Sequence, residues 1–374
     1  MKIIFVADIH FGISGRTDDI LYSLKSIREY AHKNQIQSWI ILGDLFHDRR
    51  GVEWDVLGRV YDFFLETKEK YNQNILAYPG NHDMFLKNSF EYHSMKALKN
   101  VITVIDDIAL VKVENQRFRI IPFINYEDVF MNVVNEVVKD NDTSKDDIIL
   151  THVGVKNASL NECFLIKHWS FIDFTNIPHK VFTGHFHCQQ KVGDNLWYPG
   201  SPLAFNFSEG LVDHGFIVYD VDSGKHEFVS LQGLNAIQDK DIVPLDGRPA
   251  GFITITDEML LDAKELKKID FKNNNIRIAI SRDYGKDEIA DIRGTLSKMG
   301  AKSVTTMKTK EQEVEIEKHQ SDSLSINRPE ELLKTWFEKD APDHISKELL
   351  LSLNKSIVEE GNERIVQEGN VDAE

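Results

Sequence analysis

The sequence predicts an α/β protein followed by a small α+β module and a helical tail, and three observations carry that expectation. Short β-branched runs alternate with amphipathic stretches over the first eighty residues, and a strand–helix–strand–helix–strand order calls for a sheet with helical crossovers. From Val101 the pattern turns to short strands joined by tight turns. Five polar clusters rich in Asp and His fall just after predicted strands, where α/β sheets present their sites.

Ile3–Ala7 is the first strand. Ile20, Leu21, Leu24, Ile27, Tyr30 and Ala31 recur at helical spacing behind Asp18 and Asp19, which are expected as N-cap residues. Trp39–Leu42 is the next strand, and Val56, Leu57, Val60, Tyr61, Phe64 and Leu65 form the next helix. Ile75–Tyr78 is the third strand. Short strands are expected at Val101–Ile105, Ile108–Val113 and Arg117–Ile121, then a helix at about Asp128–Val138 and a polar linker, Lys139–Asp147. Further strands fall near Ile148–Thr151, Val181–Thr183, Leu196–Tyr198, Phe216–Asp220 and His226–Leu231, closing one large domain over residues 1–234. A second unit, 240–308, carries strands at Phe252–Thr256, Ile276–Ser281 and from Lys302, with helices around Met259–Lys268 and Glu288–Met299.

Composition narrows the class. The chain has 374 residues with 41% hydrophobic content, enough for a large core and two domains with a tail. Its 44 basic and 60 acidic side chains give −16, the wrong sign for bulk electrostatic binding of nucleic acid, so such a substrate would need metal ions or a local basic patch. Cys163 and Cys188 are too few for a disulfide framework and fit a reducing, cytoplasmic setting. No apolar run approaches the ~18 residues of a membrane span, and the N-terminus reads as a strand and not a signal peptide. Residues 308–374 hold 9 basic and 17 acidic side chains, half of the net charge. Within them, Leu332, Leu333, Trp336 and Phe337, then Leu349, Leu350, Leu353 and Ile357, make two amphipathic patches separated by Pro342. The helical segment 325–374 either packs on its own domain or binds a partner.

The chemistry lies in Asp8-Ile9-His10, Gly43-Asp44, Gly80-Asn81-His82-Asp83, Thr151-His152 and Gly184-His185-Phe186-His187. The glycines beside Asp44, Asn81 and His185 are expected where a strand must stop in a conformation that only Gly adopts cheaply. Carboxylates, imidazoles and one amide oxygen make a mixed N/O donor set without sulfur, which disfavours a zinc finger or an iron–sulfur cluster. The donors are too many for one tetrahedral site and suit two divalent ions sharing a carboxylate, ~3.5–4 Å apart, as in phosphoryl-group chemistry.

In that order the clusters resemble the calcineurin-like metallophosphoesterases. Gly43-Asp44-Leu45-Phe46-His47, the run Tyr198-Pro199-Gly200-Ser201-Pro202 and the following Phe207-Ser208-Glu209 resemble, within them, the SbcD/meiotic-recombination-eleven nuclease family. The resemblance covers about the first 230 residues. It implies a four-layer αββα sandwich, with 240–308 as a capping domain and 325–374 as a partner-binding helical tail. It also implies that Asp8, His10 and His187 bind one metal and Asn81, His152 and His185 a second, with Asp44 bridging. His82 would donate a proton or stabilise charge on the phosphate, Asp83 would orient His82, and His47 would sit over the metals and place the strand to be cut. Manganese is the expected ion, although the donor set alone admits zinc, iron or magnesium. Arg49 and Arg50 either touch phosphates or stand solvated.

The implied activity is exonuclease and endonuclease cleavage at DNA ends in break repair and recombination. The implied partners are DNA, a coiled-coil ATPase of SbcC type gripped by the C-terminal helices, and a second copy of the chain in a two-plus-two assembly. A phosphatase or cyclic-nucleotide phosphodiesterase of the same fold, and a non-catalytic scaffold for an ATPase, are the alternatives.

Overall fold

The computed structural model describes residues 1–86, 91–161, 164–165, 172–231 and 249–308. In chain order its first elements are β1 (Lys2–Val6), α1 (Thr17–Lys33), β2 (Ser38–Ile41), α2 (Trp54–Glu69), β3 (Asn74–Ala77), β4 (Thr103–Val104), β5 (Ala109–Val113), β6 (Gln116–Ile121) and α3 (Glu127–Lys139). There follow β7 (Ile148–His152), β8 (Ser159–Asn161), β9 (Phe164–Leu165), β10 (Lys180–Gly184), β11 (Gln190–Val192), β12 (Leu196–Tyr198), β13 (Gly215–Asp220) and β14 (Lys225–Ser230). The last described elements are β15 (Phe252–Thr256), α4 (Ala263–Leu266), β16 (Asn275–Ile280), α5 (Lys286–Lys298) and β17 (Ser303–Lys308).

Two six-stranded sheets run β14-β13-β1-β2-β3-β4 and β11-β12-β10-β7-β6-β5. The period-2 alternation of each strand sorts its side chains between two cores. From β1, Ile4 and Val6 join Trp39, Ile41, Phe216 and Val218 against α1 and α2 (Leu24, Ile27, Val60, Phe64). Ile3, Phe5 and Ala7 point the other way and meet Phe118, Ile148, Leu150 and Phe182 of the second sheet. Ile121, Ile149 and Val181 on the far face of that sheet pack on Phe130 and Val134 of α3. The result is the expected four-layer αββα sandwich. β1, β2 and β3 are parallel, as are β7 and β10, which pair with Gly184 opposite His152. The carboxyl ends of all five therefore deliver the polar clusters.

A three-stranded sheet, β15-β16-β17, has its own small core of Ile255, Phe271, Ile276, Ile278, Ile280 and Leu296. Buried Arg16 ties it to the sandwich by donating to the carbonyls of Ala250 (2.8 Å) and Ala204 (2.9 Å). The chain divides into two compact units, Met1–Met307 and Lys308–Glu374. The expected boundary at 234–240 falls within 232–248, and the tail patches around Trp336 and Leu350 fall beyond 308. Both lie outside the described residues, as does Cys163.

Several local expectations are corrected. Asp18 and Asp19 are not caps: α1 starts at Thr17, and both lie in its first turn, where Asp19 pairs with Arg16 at 2.9 Å and Asp18 with Arg59. Carboxylates there are favoured by the helix dipole without any cap geometry. The expected helix Met259–Lys268 is a 3₁₀ turn, Met259–Leu261, followed by the one-turn α4. Asp262 interrupts it, its carboxylate taking the N–H of Lys264 at 2.8 Å, the local competition that Asp offers a helix backbone. The strand expected over Val101–Ile105 shrinks to β4. β8, β9 and β11 are short elements that the sequence pattern does not announce. Among the described residues no helix is long and apolar enough to cross a membrane.

Candidate metal centre

All seven expected ligands converge. Asp8 and His10 follow β1, Asp44 follows β2 and Asn81 follows β3. From the other sheet, His152 ends β7 while His185 and His187 follow β10. Ligand atoms of Asp8, His10 and His187 lie within 4.8 Å of one another, as do those of Asp8, Asp44 and His152. His10 Nε2 is 3.0 Å from His187 Nε2. Asn81 Oδ1 lies 3.0 Å from His152 Nε2 and 2.9 Å from His185 Nδ1. The same oxygen of Asp44, Oδ2, stands 3.2 Å from His152 Nε2 and 3.7 Å from His10 Nε2. Asp44 thus touches both groups, as a bridging carboxylate must.

The donor chemistry fits divalent ions. His152 Nδ1 faces the Leu42 carbonyl at 2.8 Å, so its proton belongs on Nδ1 and the Nε2 lone pair points at Asp44 and Asn81 oxygens. Lone pairs aimed at one another in a buried site need a cation between them. In the chain by itself protons take that place. Burial alone would strip His152, but the Asp44 charge overrides it and lifts the imidazole to about 9. Burial would likewise raise Asp44, yet the charge and hydrogen bond of His152 hold it far below the usual carboxylate range. Burial pushes Asp8 up to about 6, and burial with the nearby His152 charge pushes His185 down to about 3.

The backbone here is strained at the candidate ligands themselves. Asp8 (φ 52°), His10 (φ 54°), Asp44 (φ 53°) and His185 (φ 107°) all occupy the left-handed region, which costs an L-residue about 1–3 kcal/mol and clusters at functional sites. The glycine expectation needs correction accordingly. Gly43 does adopt positive φ, but Gly80 and Gly184 do not. Their role is close approach: a Cβ on Gly80 would lie 2.2 Å from Asp44 Oδ1, and one on Gly184 2.3 Å from the Leu42 carbonyl oxygen.

Asp83 does not orient His82. Its buried carboxylate accepts the N–H groups of Phe46 (3.0 Å), Gly80 (2.9 Å) and Leu45 (3.3 Å), clamping the Asp44 loop to the Asn81 loop. Burial, with the Asp44 charge added, raises it to about 7. His82 Nδ1 meets the His47 backbone carbonyl at 2.6 Å, and its ring stacks on that of His47 at 5.4 Å. Both rings sit edge-on to His10. Arg49 is committed as well, its Nε donating to the Asn81 carbonyl at 2.7 Å, while Arg50 is exposed.

Three supporting residues escaped the sequence reading. Tyr78 Oη donates to the Thr151 carbonyl at 2.7 Å and Tyr198 Oη to that of Val153 at 2.8 Å, bracketing His152. Glu209 Oε1 lies 3.0 Å from His187 Nδ1. Tyr198 and Glu209 stand in motif stretches the resemblance quotes, but no local pattern says what they touch.

A two-sheet sandwich with buried carboxylate, imidazole and amide donors at the carboxyl ends of its strands is an arrangement suited to a metal-dependent phosphoesterase. Residues 1–189 match the calcineurin-like phosphoesterases, and the chain belongs to that family, whose members bind divalent metals. It is similar to exonuclease subunit 1 of Enterobacteria phage T4, 22% identical over 61% of this chain and 67% of that protein. It is also similar to the putative phosphoesterase 244L of Invertebrate iridescent virus 6, 26% identical over 58% of this chain and 75% of the other. The putative phosphoesterase 078R of Invertebrate iridescent virus 3 is 22% identical over 56% and 60%. The chain thus spans about two thirds of the length of these relatives. The crystal structure of Pseudomonas putida nuclease MPE covers 52% of this chain and 66% of its own at 17% identity and a TM-score of 0.24, too low to carry an argument.

Proposed function

We propose that the chain is a two-metal phosphodiesterase that cleaves DNA, the nuclease subunit of an SbcCD-type assembly. One observation carries the reading: Asp44 stands between an Asp8–His10–His187 group and an Asn81–His152–His185 group, all at one end of both sheets. These seven residues would hold two divalent cations, manganese by preference. When bound, the pair supplies Lewis-acid charge neutralisation for displacement at a phosphodiester. The protein's own residues do the rest. The left-handed backbone at Asp8, His10 and Asp44 aims those side chains before substrate arrives. His82, partly exposed beside His10, would use Nε2 to donate a proton to a leaving oxygen or to stabilise charge on the phosphate, while the His47 carbonyl at Nδ1 sets its ring. His47, exposed at the rim, guides the strand inward.

The T4 relative's name, exonuclease subunit 1, supports a nucleic-acid substrate. In this reading 325–374 binds the coiled-coil ATPase partner, 240–308 caps the site, and the main domain dimerises within the cytoplasm. The test compares manganese-dependent hydrolysis of duplex DNA, a phosphopeptide and a cyclic nucleotide. DNA cleavage that His82→Ala abolishes while manganese binding persists supports the reading. Turnover of the small substrates alone refutes it in favour of a phosphatase or cyclic-nucleotide phosphodiesterase, and no turnover of any, with or without the ATPase, leaves a scaffold.

A further inference from the structure

The geometry points to Glu209 as a positioning residue that orients His187 toward the metal centre; this rests on the reading above. An imidazole can offer either nitrogen, and which one faces a metal is set by the partner of the other. His187 Nδ1 lies 3.0 Å from Glu209 Oε1, so the proton belongs on Nδ1 and the Nε2 lone pair is left facing His10 Nε2 at 3.0 Å. The His187 side chain is 25% exposed, whereas Asp8 and His152 are fully buried. Packing therefore restrains His187 less, and a specific hold matters more.

Glu209 is itself held. It is 6% exposed. Its Oε2 accepts the Phe205 N–H at 2.7 Å and its Oε1 the Asn206 amide at 2.6 Å. The Glu209 carbonyl lies 3.0 Å from His214 Nε2, and His214 Nδ1 lies 3.0 Å from Ser201 Oγ. The Ser201 N–H returns to the His187 carbonyl at 3.0 Å. A closed circuit thus grips His187 by ring and backbone together. The turn before Ser201 needs Gly200, which has φ +75° and sits so close that a Cβ would meet the His187 carbonyl at 2.6 Å.

The experiment titrates manganese into the full chain and follows loss of the free-ion electron paramagnetic resonance signal, for wild type, Glu209→Gln, Glu209→Ala, His187→Ala and the His187→Ala/Glu209→Ala double variant. Glu209→Gln keeps length and packing but not the charge, and should weaken one manganese site about tenfold; Glu209→Ala should weaken it by ~10–100-fold. The double variant should bind no more weakly than His187→Ala, since Glu209 acts on the centre only through His187. Unchanged affinity in Glu209→Gln and Glu209→Ala, or additive losses in the double variant, overturns the assignment. Should Glu209→Ala fail to fold, Glu209→Gln decides. A wild-type chain that binds no divalent cation overturns the metal-centre reading itself, an outcome distinct from equal affinities across the series.

Discussion

Replacing Gly80 by alanine adds one methyl group at the tightest point of the centre. The new Cβ would lie 2.2 Å from Asp44 Oδ1 and 2.5 Å from the Asp44 amide nitrogen, about 1 Å inside ordinary contact. Because Gly80 does not have positive φ, alanine suffers no backbone penalty, and the whole effect is steric. Relief requires Asp44 to retreat by about 1 Å, since one of the atoms met is backbone and cannot rotate away. Overpacking of this kind costs about 1–3 kcal/mol of stability, and a shift of ~1 Å in a positioned group costs roughly 10²-fold in rate. Under the proposed function, the expected result is a folded Gly80→Ala protein whose manganese-dependent cleavage falls about a hundredfold. The assay pairs initial rates on duplex DNA with urea unfolding. A variant with wild-type rates and wild-type manganese affinity would show that Asp44 is not held where the bridging argument needs it.

Gly58 provides the matching control: it lies inside α2 with nothing within 4 Å of an added Cβ, so Gly58→Ala should stabilise by about 0.5–1 kcal/mol at unchanged activity, and destabilisation would count against the α2 assignment. Arg49→Ala separates two roles for that side chain. Its bond to the Asn81 carbonyl predicts weaker manganese binding with an unchanged salt dependence of DNA binding, whereas a phosphate contact would lower the salt slope by about one. Asp257 concerns acid stability. Its carboxylate accepts the Ser281 N–H at 2.8 Å and the Tyr284 hydroxyl at 3.2 Å. Burial would raise its pKa, but the Ser281 bonds outweigh it and hold the group below its usual value. A depressed folded pKa stabilises above the unfolded value, about 3.9, and that contribution is lost as pH falls through the folded one. Urea melts should therefore show Asp257→Asn less stable than wild type at pH 6, with the gap closing below about pH 4; a gap independent of pH would refute the account.

The strands and long helices were legible because burial imposes a period. Ile3, Phe5 and Ala7 against Ile4 and Val6 already announce a sheet covered on both faces, and α1 and α2 advertise their inner stripes. The candidate ligands were legible for a related reason: Asp8, Asp44, Asn81, His152 and His185 are polar residues at the ends of apolar runs, and a chain does not bury such groups without partners. What the sequence alone determined is therefore which residues would be withdrawn from water and which of them carry donor atoms.

Only the tertiary structure decided how those atoms are aimed. Asp83 and His82 are neighbours in sequence, yet one clamps backbone N–H groups and the other meets the His47 carbonyl. Gly80 and Gly184 serve proximity to Asp44 and Leu42, and not a turn conformation. Glu209 reaches His187 across twenty-two positions because the 200–209 loop folds back on β10's end. Periodicity records which face of an element is covered and is local. A hydrogen bond depends on distance and angle between groups on different elements, which exist only once both sheets have packed.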